Sequence, residues 1–218
     1  MYNISLSSLK DTNVSLHSLT VSEAEKLLRS PMPYFIYIRK ILEKITNLNQ
    51  KELDNVSIQD AMSVLVYYRM VFWGDEEIAK TEDGSSIKPS DFIGTEEKED
   101  DTIEIGGYLF SPIITLANAI IAEEKAMKSS SYKDNLRLFV LGAGCKGGVD
   151  KGIKVMTSID ASPESLGNMI AYTNAIKTQS SINIDMIHPS LKIMIETQGG
   201  EPIMALGFRA SLFFAFWV

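Results

Sequence analysis

The sequence predicts an α+β fold, with a helical N-terminal part followed by a mixed helix and antiparallel-strand C-terminal part. Three observations predict it. In the first 78 positions apolar residues recur at helical intervals between capping signals. Beyond about residue 105, helix starts alternate with short apolar runs bounded by glycine turns. Between the two lies a stretch dominated by charge, glycine, serine and proline. The chain therefore divides into a helical region over 1–78, an acidic loop or hairpin linker over 79–104, and an α/β region over 105–218 that closes on an apolar terminal strand.

Each element has a local reason. "TVSEAEKLLRS" opens on Thr20 with Glu23 three residues on, the spacing of a capping box. "PMPYFIYIRKILEKI" places Phe35, Ile38, Ile41, Leu42 and Ile45 on one helical face. "SIQDAMSVLVYYRMVFWGD" is the clearest helix. Ser57 is its N-cap, Asp60 sits where an acid favours the first turn, and Gly74 ends it. Its buried stripe is Ala61, Val64, Leu65, Tyr68 and Phe72. The linker carries six acids between Glu96 and Glu104, without the fixed ligand offsets of a calcium loop. "SPIITLANAIIAEEKAMKSSS" predicts a helix from Ser111 and Pro112, with Glu123 and Glu124 on a solvated face beside Lys125 and Lys128. "NLRLFVLGAGCKGGVDKGIKVMTSID" predicts two strands about a glycine turn. "SPESLGNMIAYTNAIKTQ" predicts another Ser-Pro helix start. "SLKIMIETQGGEPIMALGFRASLFFAF" predicts a strand, a Gly-Gly turn and a long strand or two.

Bulk properties narrow the function. A formal charge of −7 argues against nucleic acid as a main partner, because phosphate recognition needs clustered Lys and Arg. Cys145 is the one cysteine, so neither an intrachain disulfide nor a cysteine-rich zinc site is expected. This points to a reducing compartment, or to a particle assembled in one. The first residues lack a basic flank and a continuous apolar core, so no secretory signal is expected, and no run is apolar and long enough to predict a membrane span.

One loop tempts a catalytic reading. "GAGCKG" spells Gly142-x-Gly144-x-x-Gly147 after the apolar "LRLFVL", with Asp160 further on. A dinucleotide site requires a helix directly after the third glycine, so that its N-terminus holds the pyrophosphate. The β-like pattern that follows argues against one, and the glycines then serve a hairpin. Cys145 has neither histidine placed near it by sequence, so it reads as a structural thiol. No catalytic, cofactor-binding or metal residues are assigned.

Apolar surface remains as the handle on function. The terminal "ALGFRASLFFAFWV" carries no polar side chain from Leu212 to Val218. A half-buried strand would alternate, so both faces of this one need cover, by the domain's own sheet or by another chain. Its burial is worth on the order of 10 kcal/mol gross. Leu212, Phe213, Phe214, Phe216 and Trp217 are therefore the first candidate contact residues, and Tyr67, Tyr68, Phe72 and Trp73 the second.

Over residues 18–78, "LTVSEAEKLL", a spacer helix and "VSIQDAMSVLVYYRMVFWGDEE" together resemble the baseplate hub subunit family of T-even-like contractile-tail bacteriophages. The resemblance rests on Thr20, Glu23, Asp60, Arg69, Trp73 and Gly74. Members of that family often carry cysteine pairs soon after the glycine. This chain has "DEEIAKTEDGSS" there, so no metal is carried over. The resemblance implies a non-enzymatic virion protein of the tail baseplate hub. It would be made in the host cytoplasm and packed, in several symmetric copies, against other hub or tape-measure chains. A tail assembly chaperone absent from the mature particle, and a nucleotide-binding enzyme using the GAGCKG loop, are the alternatives.

Overall fold

The computed structural model describes residues 2–9, 12–29, 32–77, 79–80, 86–92, 101–129, 132–178, 193–196 and 202–205. The apolar run at 212–218 lies outside the described residues. The chain is α+β.

The N-terminus forms a strand pair that helical periodicity does not foreshadow. β1 (Tyr2–Ile4) lies antiparallel to β2 (Val14–Leu16), with Tyr2 opposite Leu16. β2 is buried throughout, and its end is tied to the end of the second helix by His17 N–H donating to Ile45 O at 2.8 Å. α1 (Val21–Arg29) begins with the expected box. Thr20 N–H donates to Glu23 Oε2 at 3.0 Å, and Glu23 N–H donates to Thr20 Oγ1 at 3.3 Å.

Thr20 donates to the Glu23 carboxylate twice, from its backbone N–H and from its hydroxyl at 2.8 Å, and these two bonds, the backbone one first, hold the Glu23 carboxyl below the usual carboxylate range. A depressed acid stabilises the fold above its unfolded-chain pKa, and that contribution is lost as pH falls through the lower folded value. Side-chain NMR titration is therefore expected to place Glu23 below an exposed glutamate. Thr20→Ala removes the hydroxyl donor and keeps the backbone one, so it is expected to move the midpoint part of the way upward, and an unmoved midpoint would refute the hydroxyl's share of the shift.

α2 (Tyr34–Ile45) buries Phe35, Ile38, Ile41, Leu42 and Ile45, the face expected from its spacing. α3 (Gln50–Asn55) is a six-residue helix with its own capping box from Asn49 and Glu52. It is too short for periodicity to announce it. α4 (Ile58–Trp73) starts on Ser57, whose Oγ accepts from Asp60 N–H at 3.0 Å. It ends at Gly74, whose φ of +76° suits the residue without a Cβ.

α4 is more than the one-sided helix expected. Every residue from Ile58 to Val66 is buried, including three polar ones. Asp60 Oδ2 accepts from Ser8 N–H at 2.7 Å. Gln59 Nε2 donates to Ile176 O at 3.2 Å, and Ser63 Oγ donates to Gln59 O at 3.2 Å. Buried polar groups persist where they find such partners.

β3 (Ala79–Lys80) pairs antiparallel with β4 (Ser86–Ile87), and a short 3-10 turn at Pro89–Phe92 packs on α4. β5 (Ile103–Ile105) and β6 (Tyr108–Phe110) form a hairpin turned by Gly106 and Gly107. α5 (Leu116–Met127) starts later than Ser111 and Pro112 suggest. Thr115 caps it, because the backbone before it is committed elsewhere. Ser111 N–H donates to Gly144 O at 2.8 Å, and Ile114 O accepts from Ile58 N–H at 2.9 Å.

The main correction concerns residues 132–158. The two expected strands are helices, α6 (Tyr132–Gly142) and α7 (Val149–Ser158). Short apolar runs do not separate strand from buried helix by themselves. Here Leu136 and Val140, four residues apart, both enter the core. Glycines let the helices touch: a Cβ on Gly152 would lie 1.9 Å from Gly142 O. α8 (Pro163–Thr178) follows its Ser162 cap as expected, with Ser165 N–H donating to Ser162 Oγ at 3.3 Å. β7 (Ile193–Glu196) and β8 (Pro202–Ala205) pair antiparallel, as the Gly-Gly turn predicts. One core runs from Leu6 to Ile176, with α2, α4 and α5 packed on one another and α6 and α7 against α5.

Candidate functional site

The second set of candidate contact residues comes together at the C-terminal end of α4. Tyr68 is 1% exposed, so the chain itself covers its ring. Its Oη accepts from Leu19 N–H at 3.0 Å, and burial pushes the phenol pKa up. Tyr67, Phe72 and Trp73 are half-buried and pack on the core. Phe72 stacks tilted on Tyr68 at 4.9 Å, and Trp73 meets Tyr68 edge-on at 5.9 Å. Tyr2, from β1, adds an edge-to-face contact with Phe72 at 6.0 Å and leaves about half its ring exposed. Sequence reasoning missed Tyr2, because only the strand pairing carries it there.

Arg69 sits under this cluster. It is 3% exposed, and its guanidinium carbon lies 5.3 Å from the centre of the Trp73 ring, within reach of a cation–π attraction. Burial lowers its pKa, and the nearby Glu76 carboxylate opposes that shift. Asp75, Glu76 and Glu77 follow directly and are exposed. Asp75 accepts from both the Ser90 N–H, at 2.8 Å, and the Ser90 hydroxyl, and Glu77 accepts from the Ser86 hydroxyl. The result is a ridge of aromatic edges with an acidic rim. It has the composition of an interface centre, with aromatic anchors over a fixed base. The other candidates, Leu212, Phe213, Phe214, Phe216 and Trp217, lie outside the described residues.

The GAGCKG loop has a different character from the one expected. A helix, α7, does begin directly after it, so the expectation of a following strand does not hold. A helix rather than a strand also precedes it, which removes the strand–turn–helix context of a dinucleotide fingerprint. Packing accounts for two of the glycines. A Cβ at Gly144 would meet Tyr172 Oη at 2.0 Å and Ser111 O at 2.5 Å, and one at Gly142 would meet Ile153 N at 2.6 Å. Tyr172 Oη donates toward Leu141 O at 3.0 Å and Ser111 O at 3.2 Å, and burial, with the adjacent Cys145, drives its pKa up. Cys145 is a free, buried thiol.

Glu123 departs from the solvated face expected of its helix, while Glu124 and Lys128 are exposed as expected. Glu123 is 0% exposed, and its carboxylate accepts from Tyr34 N–H at 2.7 Å and Phe35 N–H at 2.8 Å. Pro33 precedes α2 and makes no side-chain cap, so a residue 88 positions further along than Phe35 does that work. The flanking Lys125 and Lys128 misdirected the sequence reading, whereas Ala119, Ala122 and Ala126 around it are all buried.

Among the described residues, no three His, Cys, Asp or Glu side chains come together as a metal-ion group, and no helix is long and apolar enough to cross a membrane. Comparison of the chain with protein-family models, curated proteins and solved structures returned no match.

Proposed function

We propose that the chain is a non-enzymatic structural component of a contractile-tail baseplate, placed at the hub and packed against other hub or tape-measure chains. The observation that carries this reading is the aromatic ridge at the end of α4. Three of the residues that bear the family resemblance build that corner: Arg69 is the buried base, Trp73 the flank and Gly74 the helix stop. Thr20 and Asp60 fix the starts of α1 and α4, which hold the corner in place. A ridge set on a buried, rigid helix keeps its shape without a partner, which lowers the ordering cost of docking. The apolar run Leu212–Val218 would supply a second contact, and several copies would sit in a closed ring. The nucleotide-enzyme reading is weaker, since Gly142 and Gly144 are filled by the chain's own packing.

Mass spectrometry of purified virions tests the proposal. Stoichiometric presence in tail particles is expected. Presence in infected cells but absence from particles would replace this reading with that of an assembly chaperone. Trp73→Ala is expected to lower incorporation at least tenfold, the scale of an aromatic anchor, while the far-ultraviolet circular dichroism is retained. Unchanged incorporation would remove the ridge from the contact.

A further inference from the structure

Helix α8 turns one face inward and leaves the other bare. Tyr172 and Ile176 are buried, and Met169 packs against the core. On the opposite face Leu166 is 50% exposed and Ile170 62% exposed, with Gly167, Ala171 and Asn174 exposed beside them. Their spacing of three and four residues makes one continuous stripe. The solvated face of a helix normally carries charge. This one has no charged residue between Glu164 and Lys177, in a chain of net charge −7.

Among the described residues, nothing explains Gly167. The other glycines described either stand at positive φ or have a neighbouring atom within 4 Å of where a Cβ would lie. Gly167 is helical and has nothing within that distance. A glycine inside a helix weakens it relative to alanine, and no contact among the described residues offsets that. A second helix laid across the stripe would, because helix axes approach most closely where side chains are smallest.

We propose that this stripe is where two copies of the chain associate, α8 against α8, antiparallel about a two-fold axis. Self-complementarity argues for a second copy as the occupant. An axis between positions 170 and 171 sets Ile170 opposite Ala171, Gly167 opposite Asn174 and Leu166 opposite position 175, an alanine. Large thus meets small along the seam. The same register sets position 164, acidic, opposite position 177, basic, at both ends. The contact therefore carries complementary charge although the whole chain is acidic. Such an interface is isologous, the commonest symmetry of homomers. One helix pair buries less than the about 1,200 Å² of a standard interface, so the dimer is a weak one. The inference stands apart from the baseplate reading and is tested on the purified chain.

Sedimentation equilibrium of the full chain, from low micromolar to several hundred micromolar, is expected to show a reversible monomer–dimer equilibrium. Ile170→Glu is expected to weaken it at least tenfold with an unchanged circular dichroism spectrum. Gly167→Leu is expected to weaken it similarly while raising the melting temperature of the monomer. Glu164→Lys alone should weaken the dimer, and the double change with Lys177→Glu should restore it. A chain that stays monomeric throughout overturns the proposal. So does a dimer indifferent to Ile170→Glu and Gly167→Leu, or one lost only on truncation after Ala205, which would assign the contact to the apolar terminus.

Discussion

Gly152→Ala is expected to destabilise the protein by about 3 kcal/mol or more, the upper range for forcing extra volume into a packed interior. The added methyl would lie 1.9 Å from Gly142 O and 2.5 Å from Cys145 Cβ. The first of those atoms is backbone, so α6 and α7 can admit the methyl only by moving apart. Leu136, Val140 and Met156 of those helices are buried and would lose contacts together. Gly167→Ala is the matched control. It makes the same chemical change in a helix where nothing lies within 4 Å, and is expected to stabilise the monomer by about 0.5–1 kcal/mol. Urea unfolding of both variants at low protein concentration reads the contrast. Equal midpoints for Gly152→Ala and the parent chain would mean that the two helices do not cross there.

Glu123→Ala is expected to have an effect of similar size through a different mechanism. The substitution strands two N–H groups at the start of α2, one of them fully buried, and each unsatisfied donor costs about 1–3 kcal/mol. It also removes a negative charge from the positive end of a helix. The expected loss is about 3 kcal/mol or more, with Glu123→Gln losing less because one acceptor oxygen survives. Hydrogen exchange gives a local readout. The Tyr34 and Phe35 amides should exchange faster in Glu123→Ala, and unchanged protection at both would show that the carboxylate does not cap α2.

The longer helices of the first half, α1, α2 and α4, were legible because their signals are local. Thr20 with Glu23, Ser57 with Asp60, and Gly74 each act within a few residues of themselves, so the boundaries of α1 and α4 follow from neighbours alone. The five-residue face of α2 was legible for the same reason. What failed was decided at a distance. α6 and α7 are helical because glycines ten residues apart let them pack, and their apolar runs carry no period long enough to say so. Thr115 rather than Ser111 caps α5 because the preceding backbone is bonded to residues 56–58 and 144. The aromatic ridge was half legible. Helical spacing puts Tyr68 in the buried stripe, where it lies, although Tyr68 also stands among the contact candidates with Tyr67, Phe72 and Trp73, and spacing has no means of telling that Tyr2 joins them.

The hydrogen bond from Gln59 to Ile176 joins residues 117 positions apart. On a ribosome adding about 5–20 residues per second, that separation is roughly 6–23 s of translation. α4 leaves the exit tunnel early, after α2 but before α5, the 3-10 turn at Pro89–Phe92 and Ile176, which also enclose it. For that interval the nascent chain presents its most apolar helix without those later partners, and those seconds are when a chaperone or a neighbouring nascent chain has access to it.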